Sequence, residues 1–303
     1  MKKHGNNIFF ELYFTVFILL FSMFDSLLIL SKTYKKLDVY AQATIFSPIA
    51  TEFITTTFTP TSSDSPIPTA VPTLLPTPSA QSVQISHPFD LTNWKLTLPI
   101  GESKNPKEIL QPELANYVID PWFIPVTGGL RFRAAVNGVT TGGSKYPRSE
   151  LREMTDNGKN RASWSSKSGK HTMFLDQAIT AVPQVKKHVV AGQIHDDDDD
   201  VIVIRLDYPV LYVNVDGDNE YVLDSDYTLG KRFSVKFEVS EGQTRVYYNG
   251  SAEPVYTLSK EYSGGYFKAG SYTQSNCSKE ESASCNESNF GEVVIYNLAV
   301  SHQ

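Results

Sequence analysis

A chain of 303 residues has room for one large domain and additional segments. Its 16 Tyr and 17 Phe bias it toward strands rather than helices. The formal net charge is −6, and the first 80 residues balance five Lys against five Asp plus Glu, so the excess acid lies entirely in the remainder. Such a balance disfavours a general polyanion-binding surface, and nucleic acid as a partner with it.

In chain order, MKKH is followed by an apolar stretch over about 8–30, broken only by Glu11 and Asp25. A basic start, an apolar core near 12–24 and a small-residue AQA at 41–43 predict a secretory signal over 1–43. The alternative is an uncleaved signal anchor, because the apolar stretch is almost long enough to span a bilayer and would tether the chain to a membrane. Either reading places the rest of the protein outside the cytoplasm, secreted or anchored at the cell surface. Residues 44–85 form a linker rich in Thr, Pro and Ser (TTTFTPTSSDSPIPTAVPTLLPTP), a composition that builds no core and favours an extended chain.

From Asp90 onward strands dominate: VIVIRL (201–206), VLYVNV (210–215), RFSVKFEV (232–239), TRVYYNG (244–250) and EVVIYNLAV (292–300). VDGDN at 215–219 and Asn249-Gly250 read as hairpin connections. One short helix is predicted, over PKEILQPELANY (106–117). Many short strands with little helix predict an all-β fold, a jelly-roll sandwich of two antiparallel sheets. Cys277 and Cys285, close together in CSKEESASC, read as one disulfide closing a local loop, against two free thiols or half of a metal site.

Three strings put proton-handling side chains on alternate residues: RSELR (148–152), QIH (193–195) and YFKAGSYTQ (266–274). Successive strand residues face opposite ways, so Arg148, Glu150 and Arg152 share a face, as do Gln193 and His195, and Lys268, Tyr272 and Gln274. Leu151, Ile194, Phe267 and Ala269 between them suit a buried core. A polar groove lying across a sheet follows, suited to an extended, charged polymer.

These strings, with FDLTNWKLTLPIG at 89–101 as an opening strand, resemble the signature regions of the alginate lyases of polysaccharide lyase family 7. The resemblance spans 86–303 and implies a catalytic β-jelly roll with the substrate groove on its concave sheet. It implies β-elimination at 4-linked uronates, without metal or cofactor. The chemical obstacle is the C5 proton, which sits beside an ionised carboxylate and is hard to remove until that charge is neutralised. By the resemblance Arg148 and Gln193 neutralise it, His195 takes the proton and Tyr272 protonates the leaving oxygen. A neutral imidazole suits a base near neutral pH, and a phenol suits a donor to a departing alkoxide.

Glu150 is expected to orient Arg148 or Arg152. Lys268, Gln274 and Arg152 are expected to bind neighbouring carboxylates and hydroxyls, and Tyr266 to line the groove. By the resemblance, Ile194 in QIH implies a preference for guluronate; strand alternation turns it away from His195, so it would act through packing. The run Asp196 to Asp200 reads as a solvated loop at the groove rim rather than a calcium site, since its carboxylates lack the spacing and turning Gly of a metal loop. The chain is expected to act as a monomer on alginate. Mannuronate blocks or another polyuronate such as glucuronan are the substrate alternatives. A silent carbohydrate-binding module is the non-enzymatic one. A glycoside hydrolase would need two carboxylates flanking the bond, and the groove strands offer only Glu150, set between two arginines.

Overall fold

The computed structural model describes residues 87–303; the expected leader and linker lie outside them. The strands are β1 (Trp94–Glu102), β2 (Asn105–Ile109), β3 (Phe123–Val126), β4 (Gly129–Ala135), β5 (Arg148–Thr155), β6 (Asn160–Arg161), β7 (His171–Ala181) and β8 (His188–His195). They continue with β9 (Asp200–Asp207), β10 (Val210–Val215), β11 (Asp218–Asp224), β12 (Phe233–Ser240), β13 (Gln243–Tyr248), β14 (Tyr256–Ser259), β15 (Tyr266–Thr273) and β16 (Phe290–His302).

The strands form two antiparallel sheets, the expected jelly-roll sandwich. One runs β11-β10-β9-β8-β15-β5-β1-β2, with β6 paired to β5; the other runs β14-β13-β12-β7-β16-β4-β3. Between them lies a single core that includes Leu96, Leu98, Phe132, Leu151, Leu175, Ile194, Phe237, Phe267 and Val293. Burying each such side chain contributes about 1.5–3 kcal/mol. Alternation explains the packing of the second sheet: in β12, Phe233, Val235, Phe237 and Val239 are buried while Ser234, Lys236, Glu238 and Ser240 are half-buried.

Two sequence expectations change. The stretch 106–117 is not one helix: it gives strand β2 and a 3-10 turn over Glu113–Asn116 that buries Leu114. Pro112 cannot continue a helix from 106, and residues 105–109 instead pair with β1, Leu96 opposite Ile109. Asn249 and Gly250 do take positive φ, 48° and 73°. They do not close a tight hairpin, because the chain runs on until Tyr256 pairs with Val246. The turn at Asp216-Gly217 does close one, with Val215 opposite Asp218.

The two sheets are pinned together at one end by Glu153 of β5. Its Oε2 accepts the Trp164 Nε1–H (3.1 Å) and the Phe267 backbone N–H (2.9 Å), and its Oε1 meets His302 Nε2 at 2.5 Å. His302 Nδ1 in turn lies 2.7 Å from His171 Nδ1. His171 and His302, which belong to no sequence motif, are thus structural.

Candidate active site

Strand register assembles the site. β5 pairs with β1 on one side, Lys95 opposite Arg152 and Thr97 opposite Glu150. On its other side it pairs with β15, Lys268 opposite Arg152 and Tyr272 opposite Arg148. β15 then pairs with β8, Tyr266 opposite His195 and Lys268 opposite Gln193. One row across four strands therefore reads Lys95, Arg152, Lys268, Gln193. Like charges side by side repel, so this stripe needs anions to hold it.

Gly270 permits the close approach of β15 to β5. It sits at φ 140°, and a Cβ there would lie 2.5 Å from the Ser149 carbonyl oxygen and 2.9 Å from Glu150 Cα.

Glu150 supplies the anion beneath the floor, only 1% exposed. Its Oε2 takes Arg148 Nη1 at 3.0 Å and Lys268 Nζ at 2.7 Å, and its Oε1 takes the Gln193 amide N–H at 2.5 Å. Burial opposes ionisation of Glu150, but Lys268 and Arg148 overcome it and hold the carboxyl below its usual range. Burial, then Arg148, push the Lys268 ammonium down to about 8 despite Glu150. Arg152 is not a Glu150 partner: it donates to the carbonyls of Glu153 (2.7 Å) and Ala162 (3.4 Å) and lies 3.9 Å over the Tyr266 ring.

Arg148 spends one Nη on Glu150 and lies 3.8 Å over the Tyr272 ring, while its buried Nε has no partner among the described residues. The tie to Glu150 fixes the plane of a guanidinium that lines the groove, an arrangement suited to gripping a carboxylate. His195 stacks on Tyr266, ring centroids 5.2 Å apart. Its Nδ1 lies 3.1 Å from the Asp196 carbonyl. That oxygen only accepts, so Nδ1 carries the proton and a neutral ring keeps its lone pair on Nε2. Burial, then Lys268, lower the His195 pKa and keep the ring neutral. The Tyr272 hydroxyl lies 2.9 Å from Ser144 Oγ.

The groove is two joined hollows of about 310 and 390 Å³ that share Gln193, Asp199, Asp200 and Tyr272. The first is also lined by Arg148, Arg152, His195, Tyr266 and Lys268, the second by Gln274. So the expected site residues come together, with Glu150 below the surface rather than on it. Asp199 and Asp200 form part of the wall, where burial and then Asp199 raise the Asp200 pKa. No group of His, Cys, Asp and Glu suited to a metal ion occurs among the described residues. Cys277 and Cys285 form the disulfide.

Sequence reasoning missed Lys95, Thr97, Ser144 and Tyr146. Lys95 and Thr97 alternate with Leu96 and Leu98 in the opening strand, a signal of the same kind as RSELR. Ser144 and Tyr146 stand on a loop with no periodic signal.

A family model described as alginate lyase matches residues 89–302. Among solved structures, an alginate lyase from Corynebacterium sp. is 50% identical with TM-score 0.69, over 73% of this chain and 100% of its own. The alginate lyase AlgAT5, from polysaccharide lyase family 7, is 52% identical with TM-score 0.66, over 71% of this chain and 96% of its own. The family 7 alginate lyase A1-II', solved as a variant in complex with substrate (GGMG), is 27% identical with TM-score 0.58, over 71% of this chain and 94% of its own. No curated protein matches.

Proposed function

Because this chain belongs to the alginate lyases of polysaccharide lyase family 7, we propose that it cuts alginate by β-elimination, with a preference for guluronate, using Arg148, Gln193, His195 and Tyr272. The observation that carries this reading is the convergence of those four side chains in one groove, lined also by a row of cations.

The uronate carboxylate docks on the Arg148 guanidinium where it lines the groove and on the second amide N–H of Gln193. Glu150 prepares both groups: it ties back one Arg148 nitrogen and fixes the Gln193 amide so that its other N–H is free for substrate. Charge that develops on the carboxylate as the C5 proton leaves then meets donors already in place, an arrangement typically worth several kcal/mol of barrier. His195 Nε2 takes the proton. Tyr272 gives its own to the departing O4, and the Arg148 guanidinium over its ring stabilises the phenolate that forms. For mannuronate, where base and acid act from the same side, Tyr272 would serve as both.

The guluronate preference rests on Ile194, which is fully buried behind His195 and acts only through the packing of that strand. The Cys277–Cys285 disulfide favours an oxidising compartment, in keeping with action outside the cytoplasm.

The test is ultraviolet absorbance on polyguluronate and polymannuronate, offered separately with chelator present. β-Elimination leaves a conjugated unsaturated uronate, and hydrolysis does not. A rise that is stronger on polyguluronate and falls about 10²–10⁴-fold in His195→Ala is expected. Chain shortening without that absorbance would refute β-elimination.

A further inference from the structure

Beyond Tyr272 the groove runs on past Tyr146, whose ring meets that of Tyr272 edge-on at 6.4 Å. Lys186 Nζ donates to the Tyr146 hydroxyl at 3.0 Å. An ammonium has no lone pair to offer, so the Tyr146 proton must point away from Lys186. Tyr146 is therefore left as a donor, polarised by a cation behind it, on a wall shared with Gln193, Arg205 and Gln274.

Both partners are held by the segment around the disulfide. Asn276 Nδ2 donates to the Lys145 carbonyl at 2.9 Å. Glu280, inside the loop that Cys277 and Cys285 close, accepts the Val185 backbone N–H at 2.9 Å and that of Lys186 at 3.0 Å. Ser275 and Asn289 donate to the same carboxylate at 2.5 and 3.0 Å, so it cannot swing away without losing all four contacts. The Ser144 side chain, which reaches the Tyr272 hydroxyl, also accepts the Tyr146 N–H at 3.0 Å. One loop thus carries groups that touch Tyr272, Tyr146 and, through Tyr146, Lys186.

We propose that Tyr146, backed by Lys186, is a substrate-binding residue that takes the carboxylate of the uronate beyond the one served by Tyr272, and that Glu280 is the positioning residue which sets Lys186 against it. This rests on the reading of Tyr272 as the acid. It gives the disulfide loop a part in holding the polymer.

The test is steady-state kinetics of the full chain on alginate, followed by unsaturated-uronate absorbance, for Tyr146→Phe, Lys186→Met, Lys186→Arg, Glu280→Gln and the Tyr146→Phe/Lys186→Met double variant. Tyr146→Phe and Lys186→Met should each raise KM about 3- to 10-fold, the range for a lost hydrogen bond. In both, kcat should stay within about twofold, the pattern of lost uniform binding. The double variant should be no worse than the poorer single one, Lys186→Arg should recover most of the loss, and Glu280→Gln should raise KM in the same direction. An unchanged KM in Tyr146→Phe, additive losses in the double variant, or a fall in kcat at constant KM would overturn the proposal. Tyr272→Phe separates the two readings. If it is inactive while Tyr146→Phe is unchanged, only this inference falls; if it is fully active, the assignment of the acid falls as well.

Discussion

The two sheets use the same alternation to opposite ends. In the second sheet, apolar residues of β12 face the core and the charges between them face water, where Lys236 and Lys170 meet Glu238 at 3.5 and 3.0 Å. In the groove sheet the charged face is itself sunk at its centre. Glu150, Gln193 and Lys268 are as buried as core residues, at 1%, 2% and 8% exposure. Solvent-exposed pairs contribute about 0–1 kcal/mol. A buried pair contributes little on balance over an apolar replacement, yet removing one partner strands the other and costs about 3–5 kcal/mol. The groove charges are thus better explained by what they bind than by what they stabilise.

Substitutions on the two faces test that contrast. The largest effect is expected from Glu150→Ala, which leaves Lys268 and Arg148 buried without their anion. Stability should fall by about 3–5 kcal/mol in denaturant unfolding, with activity lost alongside; a drop below about 1 kcal/mol would mean the groove charges are no more interdependent than surface ones. A smaller effect is expected on the pH profile of kcat/KM. His195 acts as a base only when neutral, and burial and Lys268 lower its pKa, so the acid limb should lie below pH 6.5. At the alkaline end Lys268 loses its proton at about 8 and loosens its hold on Glu150, so activity should decline from there. An acid limb at or above pH 6.5 would argue against His195 as the base. The smallest effect belongs to the other face: Glu238→Gln should change the unfolding free energy by less than about 1 kcal/mol and leave KM unaltered.

How far the sequence could be read follows from the range of each signal. Period-two patterns are local, so RSELR, QIH and YFKAGSY announced which side chains share a face, and Leu151, Ile194, Phe267 and Ala269 are buried as their positions implied. Register is not local. Nothing in NWKLTLP says that Lys95 will lie opposite Arg152, and nothing in RSELR says that Glu150 will bond Arg148, Lys268 and Gln193 but not Arg152. Loops carry still less. The path that brings Ser144 to Tyr272 depends on contacts with residues near 276, over a hundred positions away. The stretch 106–117 misled because Ile109, Leu110 and Leu114 have helical spacing, while the edge of β1 offered residues 105–109 a ladder of hydrogen bonds that Pro112 denies to a helix.

The acidic rim at Asp196–Asp200 has a consequence for how the polymer arrives. The domain as a whole carries the −6 charge, while Lys95, Arg148, Arg152 and Lys268 sit within the groove. At a distance a polyanion meets repulsion, and only within the groove does it meet attraction. Mobile ions screen the first far more than the second, since the Debye length is about 8 Å at physiological ionic strength and buried charges are less exposed to it. Added salt therefore speeds encounter before it weakens grip, which suits an enzyme whose polymer is itself wrapped in counterions.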